Sequence, residues 1–198
     1  GLALFDGTRV LCEQTWRSQY YHTTELVPAI SELFARTRTR PADLSGLGIA
    51  LGPGSFTGLR IGMSVCKGIA LARKLPVAGV PSLDILAAGQ PILRRPMIAL
   101  LQVGRGRFAW ARYLAANNHW TREGEVQVSD AREIAASISS PVYVCGEMGE
   151  EERRVLGRKW KTARLASPAQ ALRRPAVLAR RAVFHLRPRT RRSSSPIS

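Results

Sequence analysis

No run of apolar residues in this 198-residue chain approaches the ~20 needed to span a bilayer. The longest are broken by Lys67, Arg73 and Lys74 or end after a few residues, and no signal-peptide pattern opens the sequence. Cysteine is scarce, at three residues. Cys12, Cys66 and Cys145 stand far apart and form no CxxC, which suggests neither a zinc cluster nor a disulfide framework and suits a reducing cytosol. His22, His119 and His185 are scattered singly, away from any second ligand at metal-binding spacing, so each reads as a surface or satisfied histidine. A Gly-x-Ser-x-Gly nucleophile elbow is also missing. Glu147, Glu150, Glu151 and Glu152 cluster where a solvated helix start explains them, because negative charge favours the helix dipole there.

What is present is a globular composition: 45% apolar, 22% charged, with 17 Gly and 12 Pro. Lys and Arg outnumber Asp and Glu by 30 to 14, a net charge of +16 that is usually a first hint of an anionic partner. The excess is uneven. Residues 1–150 hold 16 basic and 12 acidic side chains, whereas 151–198 hold 14 and 2. From Arg173 onward there are eight Arg and no acid, and 187–198 reads as a disordered basic tail. The chain opens on Gly1 without Met, and Gly-Leu-Ala-Leu-Phe-Asp-Gly looks like the end of a strand and a turn, so the N-terminus reads as incomplete.

Leu2 to Phe5, the Asp6-Gly7 turn and Arg9 to Trp16 predict a hairpin. Leu26, Val27, Ile30, Leu33 and Phe34 recur at helical spacing, with Pro28 in the first turns and Pro41 beyond the end. Leu47 to Leu51 is strand-like and leads into a Gly-rich turn and a long helix that Pro76 stops. Val77 to Val80 reads as another strand, and Ser82 as the N-cap of a helix over Leu83 to Ala88. From Met97 the pattern is β-β-β-α-β, with Asp130 and Glu133 forming a capping box. Trp110, Tyr113 and Trp120 mingle with Arg105, Arg107 and Arg112, as on single-strand nucleic-acid surfaces, although alternating strand faces give the same mixture and are favoured. Strands interleaved with helices in both halves predict an α/β chain of two similar lobes divided near Gly89 to Pro96.

The sharpest feature is Gly52, Pro53, Gly54, Ser55, Phe56, Thr57 and Gly58, followed by Arg60 and Gly62. Glycines here let the backbone turn tightly and leave N–H groups at a helix N-terminus, where an anion could sit. The Gly-Lys-Ser/Thr of a phosphate-binding P-loop is absent, which favours a tight strand-to-helix connection over a nucleotide site. In the helix that follows, Arg60, Ser64, Lys67 and Lys74 share one face at ~100° per residue, and apolar residues fill the rest. Such a helix must be covered on two sides, either within this chain or by a partner.

The stretch Gly52-Pro-Gly-Ser-Phe-Thr-Gly-Leu-Arg-Ile-Gly62, with Met-Ser-Val-Cys-Lys67-Gly-Ile-Ala-Leu-Ala and Leu75-Pro-Val-Ala-Gly-Val-Pro-Ser-Leu83 after it, closely resembles the bacterial threonylcarbamoyladenosine biosynthesis family TsaB. His22 to Phe34 resembles the family's His-x-x-x-Leu-x-Pro-x-Ile-x-x-Leu helix, and Arg105-Gly106 the opening of its second lobe. The resemblance is clear over about residues 9 to 115 and fades after Glu147.

That resemblance implies a two-lobed actin-like, Hsp70-like and sugar-kinase-like fold of mixed sheets flanked by helices. The first lobe would be 1–95 and the second 96–186. It implies a non-catalytic scaffold that supports a TsaD-like catalytic subunit, together with a TsaE-like ATPase, in placing a threonylcarbamoyl group on the adenosine next to the tRNA anticodon. A homodimer is the other implied assembly. The interface would use first-lobe helices, through Leu26, Ile30, Leu33, Met63, Cys66, Lys67, Ile69 and Ala70. No cofactor is expected on this subunit, ATP and metal belonging to its partners, and the location would be cytoplasmic with no membrane contact. The metal-binding histidine pair of the TsaD branch is absent, and Gln102 stands where many relatives carry Asp. The family's first strand with its Asp-Thr-Ser/Thr turn is missing before Gly1, and the Arg-rich end is atypical. An ATP- or phosphate-using enzyme working at Gly52–Gly58, or a basic RNA-binding module, are the alternatives.

Overall fold

The computed structural model describes residues 1–16, 18, 22–159 and 161–186. The predicted basic tail, 187–198, lies outside the described residues. The chain begins with an antiparallel hairpin of β1 (Leu2–Phe5) and β2 (Val10–Gln14). Its turn is closed by the Asp6 carboxylate, which accepts the backbone N–H groups of Thr8 at 2.8 Å and Arg9 at 2.6 Å. Helix α1 (His22–Thr37) contains Pro28, as its sequence requires. A parallel pair follows, β3 (Leu47–Ala50) with β4 (Val77–Val80), joined through α2 (Phe56–Arg73). Lys74 ends α2 in a left-handed conformation at φ 53° and donates its N–H to the Ala70 carbonyl.

After α3 (Ser82–Ala88) the chain builds a five-stranded mixed sheet from β5 (Met97–Gly104), β6 (Arg107–Ala116), β7 (His119–Ser129), β8 (Val142–Gly146) and β9 (Ala163–Leu165), in the order β7-β6-β5-β8-β9. Helices α4 (Ala131–Ser137) and α5 (Glu150–Gly157) lie between its later strands, and α6 (Pro175–Leu186) ends the described chain. The expected capping box forms at α4: Asp130 Oδ1 accepts from the N–H groups of Arg132 and Glu133, both at 2.8 Å, and Glu133 returns to Asp130 N–H at 2.9 Å.

The sheet explains the apolar run at Met97. Met97, Ala99 and Leu101 face a cluster with Leu83, Leu86, Tyr113 and Tyr143, while Ile98 and Leu100 face Phe108, Trp110, Ile134, Val144 and Leu156 on the other side. A strand buried on both faces has no polar alternation to show. Trp110, Tyr113 and Trp120 are all buried, and Arg105, Arg107 and Arg112 are exposed, so strand alternation accounts for their mixture.

Three features depart from the sequence reading. Ser82 does not cap α3: Pro81 holds the cap position, and Ser82 is fully buried inside the helix with its N–H on the Gly52 carbonyl at 2.8 Å. Packing encloses the segment, so its hydroxyl is buried without a hydrogen-bond partner rather than set at a solvated helix start. Strand β9 and helix α6 were not anticipated. The assignment of neighbours is also crossed, because α3 packs against the five-stranded sheet while α6 returns to lie against β1, β2, β3 and β4. The return of α6 relies on Gly48, where a Cβ would meet Ala182 Cβ at 2.7 Å and Leu178 Cδ2 at 2.8 Å.

Among the described residues, β1 pairs only with β2 and β3 only with β4. α6 contacts both pairs. Between them opens a cleft of about 1610 Å³, lined by β1, β3, α6 and the inner sides of α1 and α2.

Candidate functional site

The Gly-rich turn joins β3 to α2. Gly52, at φ 103°, takes a backbone conformation that suits glycine, and its carbonyl is held by the N–H of Ser82, tying the turn to α3. Ser55 is the N-cap of α2: its Oγ accepts the Gly58 N–H at 3.3 Å, and its carbonyl accepts the Leu59 N–H at 2.9 Å. Arg60 places its guanidinium 5.2 Å from the centre of the Phe56 ring. Thr57 is exposed beside them.

Gly54 lies beside a residue from much later in the chain. A Cβ on Gly54 would lie 3.3 Å from Arg173 Nη1, so this arginine reaches the turn. Its other nitrogen donates to Glu147 Oε1 at 2.6 Å, which supplies a carboxylate counter-charge beside the turn. Lys67 lies nine residues beyond Gly58, roughly 13 Å along the helix at 1.5 Å per residue. The turn is therefore a capped strand-to-helix connection whose cation is shared with a carboxylate.

The sides of α2 differ. Leu59, Gly62, Val65, Cys66 and Ile69 line the cleft, with Leu26, Ile30 and Leu33 of α1 on the same cleft. Leu33 is 4% exposed and Cys66 8%, so neither is available at a surface, and burial raises the Cys66 thiol pKa. The expected interface set therefore splits. Leu26, Ile30, Leu33, Cys66 and Ile69 face inward, whereas Met63, Lys67 and Ala70 do not line the cleft.

Of these three Lys67 is exposed and Met63 and Ala70 are half-buried, and all belong to a longer stripe. At ~100° per residue, Phe56, Arg60, Met63, Lys67, Ala70, Leu71 and Lys74 fall within an arc of roughly 100°. Phe56 is 73% exposed and Leu71 81%, and Val27 on α1 is 53% exposed. The sequence reading placed Phe56 in the turn and omitted Leu71 from the interface. The same angular count would have found both, once the cleft side was known. The stripe carries no acid and no histidine. It is a mixed stripe in which the cations of Arg60, Lys67 and Lys74 lie among the apolar side chains. Gln102 lines the cleft and is exposed. Among the described residues no three His, Cys, Asp or Glu side chains are grouped to hold a metal ion, and no helix is long and apolar enough to cross a membrane.

The family described as TsaD: tRNA N6-adenosine threonylcarbamoyltransferase matches residues 15–143, more than half of the chain. The tRNA threonylcarbamoyladenosine biosynthesis protein TsaB of Escherichia coli K12 is 32% identical over 99 residues, 49% of this chain and 43% of that protein. The chain belongs to the TsaB (YeaZ) branch of the TsaD superfamily. TsaB of Bacillus subtilis 168 is 36% identical over 88 residues, 44% of this chain and 38% of its own length. The chain thus spans less than half the length of these two TsaB relatives. YeaZ from Pseudomonas aeruginosa shares the fold, with a TM-score of 0.62 and 21% identity, covering 84% of this chain and 78% of that one.

Proposed function

We propose that this chain is a non-catalytic scaffold subunit of a tRNA threonylcarbamoyladenosine synthesis machinery. It binds and supports a TsaD-like catalytic subunit, which works with a TsaE-like ATPase in the cytoplasm, and the nucleotide and metal belong to those partners. In this reading the chain has two actin-like lobes, 1–95 and 96–186, with α3 and α6 exchanged across the division. The stripe of exposed Phe56 and Leu71 with half-buried Met63 and Ala70 carries the reading. Leaving two large apolar side chains on one helix so open is costly unless a partner covers them. Membership of the TsaB branch supports the choice of partner.

The test is co-purification of the full chain with its TsaD-like protein, followed by threonylcarbamoylation of unmodified tRNA by the reconstituted set. Met63→Arg is expected to abolish both capture and modification while leaving the melting temperature within a few degrees. Ile69→Arg, which places a charge against the cleft, is expected to lower the melting temperature. Unchanged capture with Met63→Arg would overturn the placement. Hydrolysis of ATP by the isolated chain would overturn the non-catalytic reading.

A further inference from the structure

A cavity of about 310 Å³ opens on the α4 side of the five-stranded sheet and shares no lining residue with the large cleft. It owes its shape to an irregular ladder. Trp110 stands opposite Gln127 and Arg112 opposite Glu123, so Ala111 alone on β6 faces Gly124, Glu125 and Val126 on β7. The extra length arches out of the sheet, and Gly124 turns it at φ 72°. Helix α4 ends at Ser137, and the link to β8 supplies another wall through Ser139 and Ser140.

The polar and apolar linings are separated by depth. Ile98, Ile138 and Val142 are each at most 5% exposed and make an apolar base. Trp110 packs in the same cluster at 8% exposed, and its indole N–H is buried without an acceptor. Nearer solvent, Glu125, Gln127, Ser139 and Ser140 are exposed, and their side chains make no hydrogen bond or ion pair among the described residues. Arg112 is the one cation in the lining and is already paired with Glu123 at 3.1 Å.

A bulge on the outer strand of a sheet discourages edge pairing without any ligand. It does not account for the unmet donor at the base, since a buried indole N–H usually finds a partner. The missing partner is an acceptor. An anion is disfavoured, because two carboxylates stand in the lining against one neutralised guanidinium. A simple ammonium brings no acceptor to the indole. Hydroxyl groups meet both demands, accepting from Trp110 at the base and donating to Glu125 or a serine oxygen at the mouth. A small hydroxylated ring suits a cavity at the lower end of the range of about 300–1,000 Å³ for small-molecule sites.

We propose that this cavity binds a neutral monosaccharide, one hydroxyl accepting from the Trp110 indole N–H and others donating to Glu125 and Gln127. The α2 stripe takes no part, so this site and the scaffold reading stand or fall independently.

Titration of the full chain with D-glucose and D-ribose, read by saturation-transfer NMR and calorimetry, is expected to show saturable binding of at least one sugar. Glucose phosphate should bind more weakly than glucose, and putrescine, a cation without hydroxyls, should not compete. Trp110→Phe keeps an aromatic wall and removes the donor, so affinity is expected to fall about 3- to 10-fold, the worth of one hydrogen bond. Trp120→Phe removes another buried, unpartnered indole N–H that does not line the cavity, and should leave binding unchanged. Glu125→Ala, at an exposed position, should weaken binding by a similar factor with an unchanged melting temperature, which keeps the site testable if Trp110→Phe folds poorly. The proposal is overturned by the absence of saturable binding of either sugar, or by equal losses in the two tryptophan variants. Wild-type affinity in both Trp110→Phe and Glu125→Ala would overturn it as well, as would displacement of the sugar by putrescine or tighter binding of glucose phosphate.

Discussion

The Glu13 carboxylate on β2 accepts a hydrogen bond from the guanidinium of Arg174, 161 residues later in the chain, and its second oxygen accepts the Ala176 N–H at 2.9 Å. One side chain thereby caps the start of α6 and fixes where that helix docks. Burial pushes the Glu13 pKa up, but the Arg174 hydrogen bond and the Ala176 N–H outweigh it and hold the carboxylate below its ordinary value of 4.5.

Glu13→Gln should therefore destabilise the fold by about 1 kcal/mol near neutral pH, the usual loss for a helix cap. A folded-state pKa below the unfolded one gives stability that is present above the unfolded value and lost on acidification through the folded one. The gap between wild type and variant in urea midpoint is expected to be constant above pH ~5 and to shrink as the pH drops below it. A gap independent of pH would show that the carboxylate charge is not what holds α6.

A second long-range tie joins α3 to β6, where the buried Tyr113 hydroxyl donates to Asp84 Oδ1 at 2.6 Å. Burial, then the Asp84 contact, raises the phenol pKa far above its ordinary 10.0. Tyr113→Phe should cost about 1.5 to 3 kcal/mol, the range for a hydrogen bond to a charged group. The raised pKa makes this stability fully present below pH ~10 and lost as pH rises beyond it. Denaturation at pH 8 and above pH 10 checks the sign, with the difference between the two proteins expected to narrow on the alkaline side.

These ties mark what the sequence could and could not reveal. The Gly52–Gly62 turn, the Asp130 and Glu133 capping box and the β5 run were legible because each is determined within a few residues. The docking of α6 was not, because its partners Glu13 and Gly48 are more than a hundred residues away. Around Arg173 and Arg174 the cations were more conspicuous than the Ala176, Leu178 and Ala182 positions that pack. The apolar excess on α2 was legible from angles alone. Which half of it faces inward depends on where β1 and β3 lie, and so Leu33 and Cys66 were expected at a surface and proved buried.

Gly48 gives the α6 docking a steric test. Gly48→Val must displace Ala182 and Leu178, and overpacking of that kind costs about 1 to 3 kcal/mol. Pairing Gly48→Ala with Ala182→Gly removes one of the two clashes. The double variant is expected to be more stable than the sum of its single changes predicts, a coupling that thermal denaturation of all four proteins in the cycle measures. Strict additivity would mean that α6 does not sit against β3 at this point.

Leu71 separates binding from folding most cleanly, because at 81% exposed it supports little of the chain's own packing. Leu71→Ala should leave the unfolding free energy within about 0.5 kcal/mol of wild type, as surface changes do. If the stripe is covered by a TsaD-like subunit, the same change removes an apolar anchor from the interface. A truncation worth about 1 to 2 kcal/mol there weakens the complex roughly 5- to 30-fold, most of it in the dissociation rate. Phe56→Ala tests the other end of the stripe in the same way, but it also releases Arg60 from its ring. Surface plasmon resonance against the immobilised partner reads both. If Leu71→Ala binds as wild type while Met63→Arg does not, the contact is confined to the middle of α2 and the covered stripe is shorter than its exposure implies.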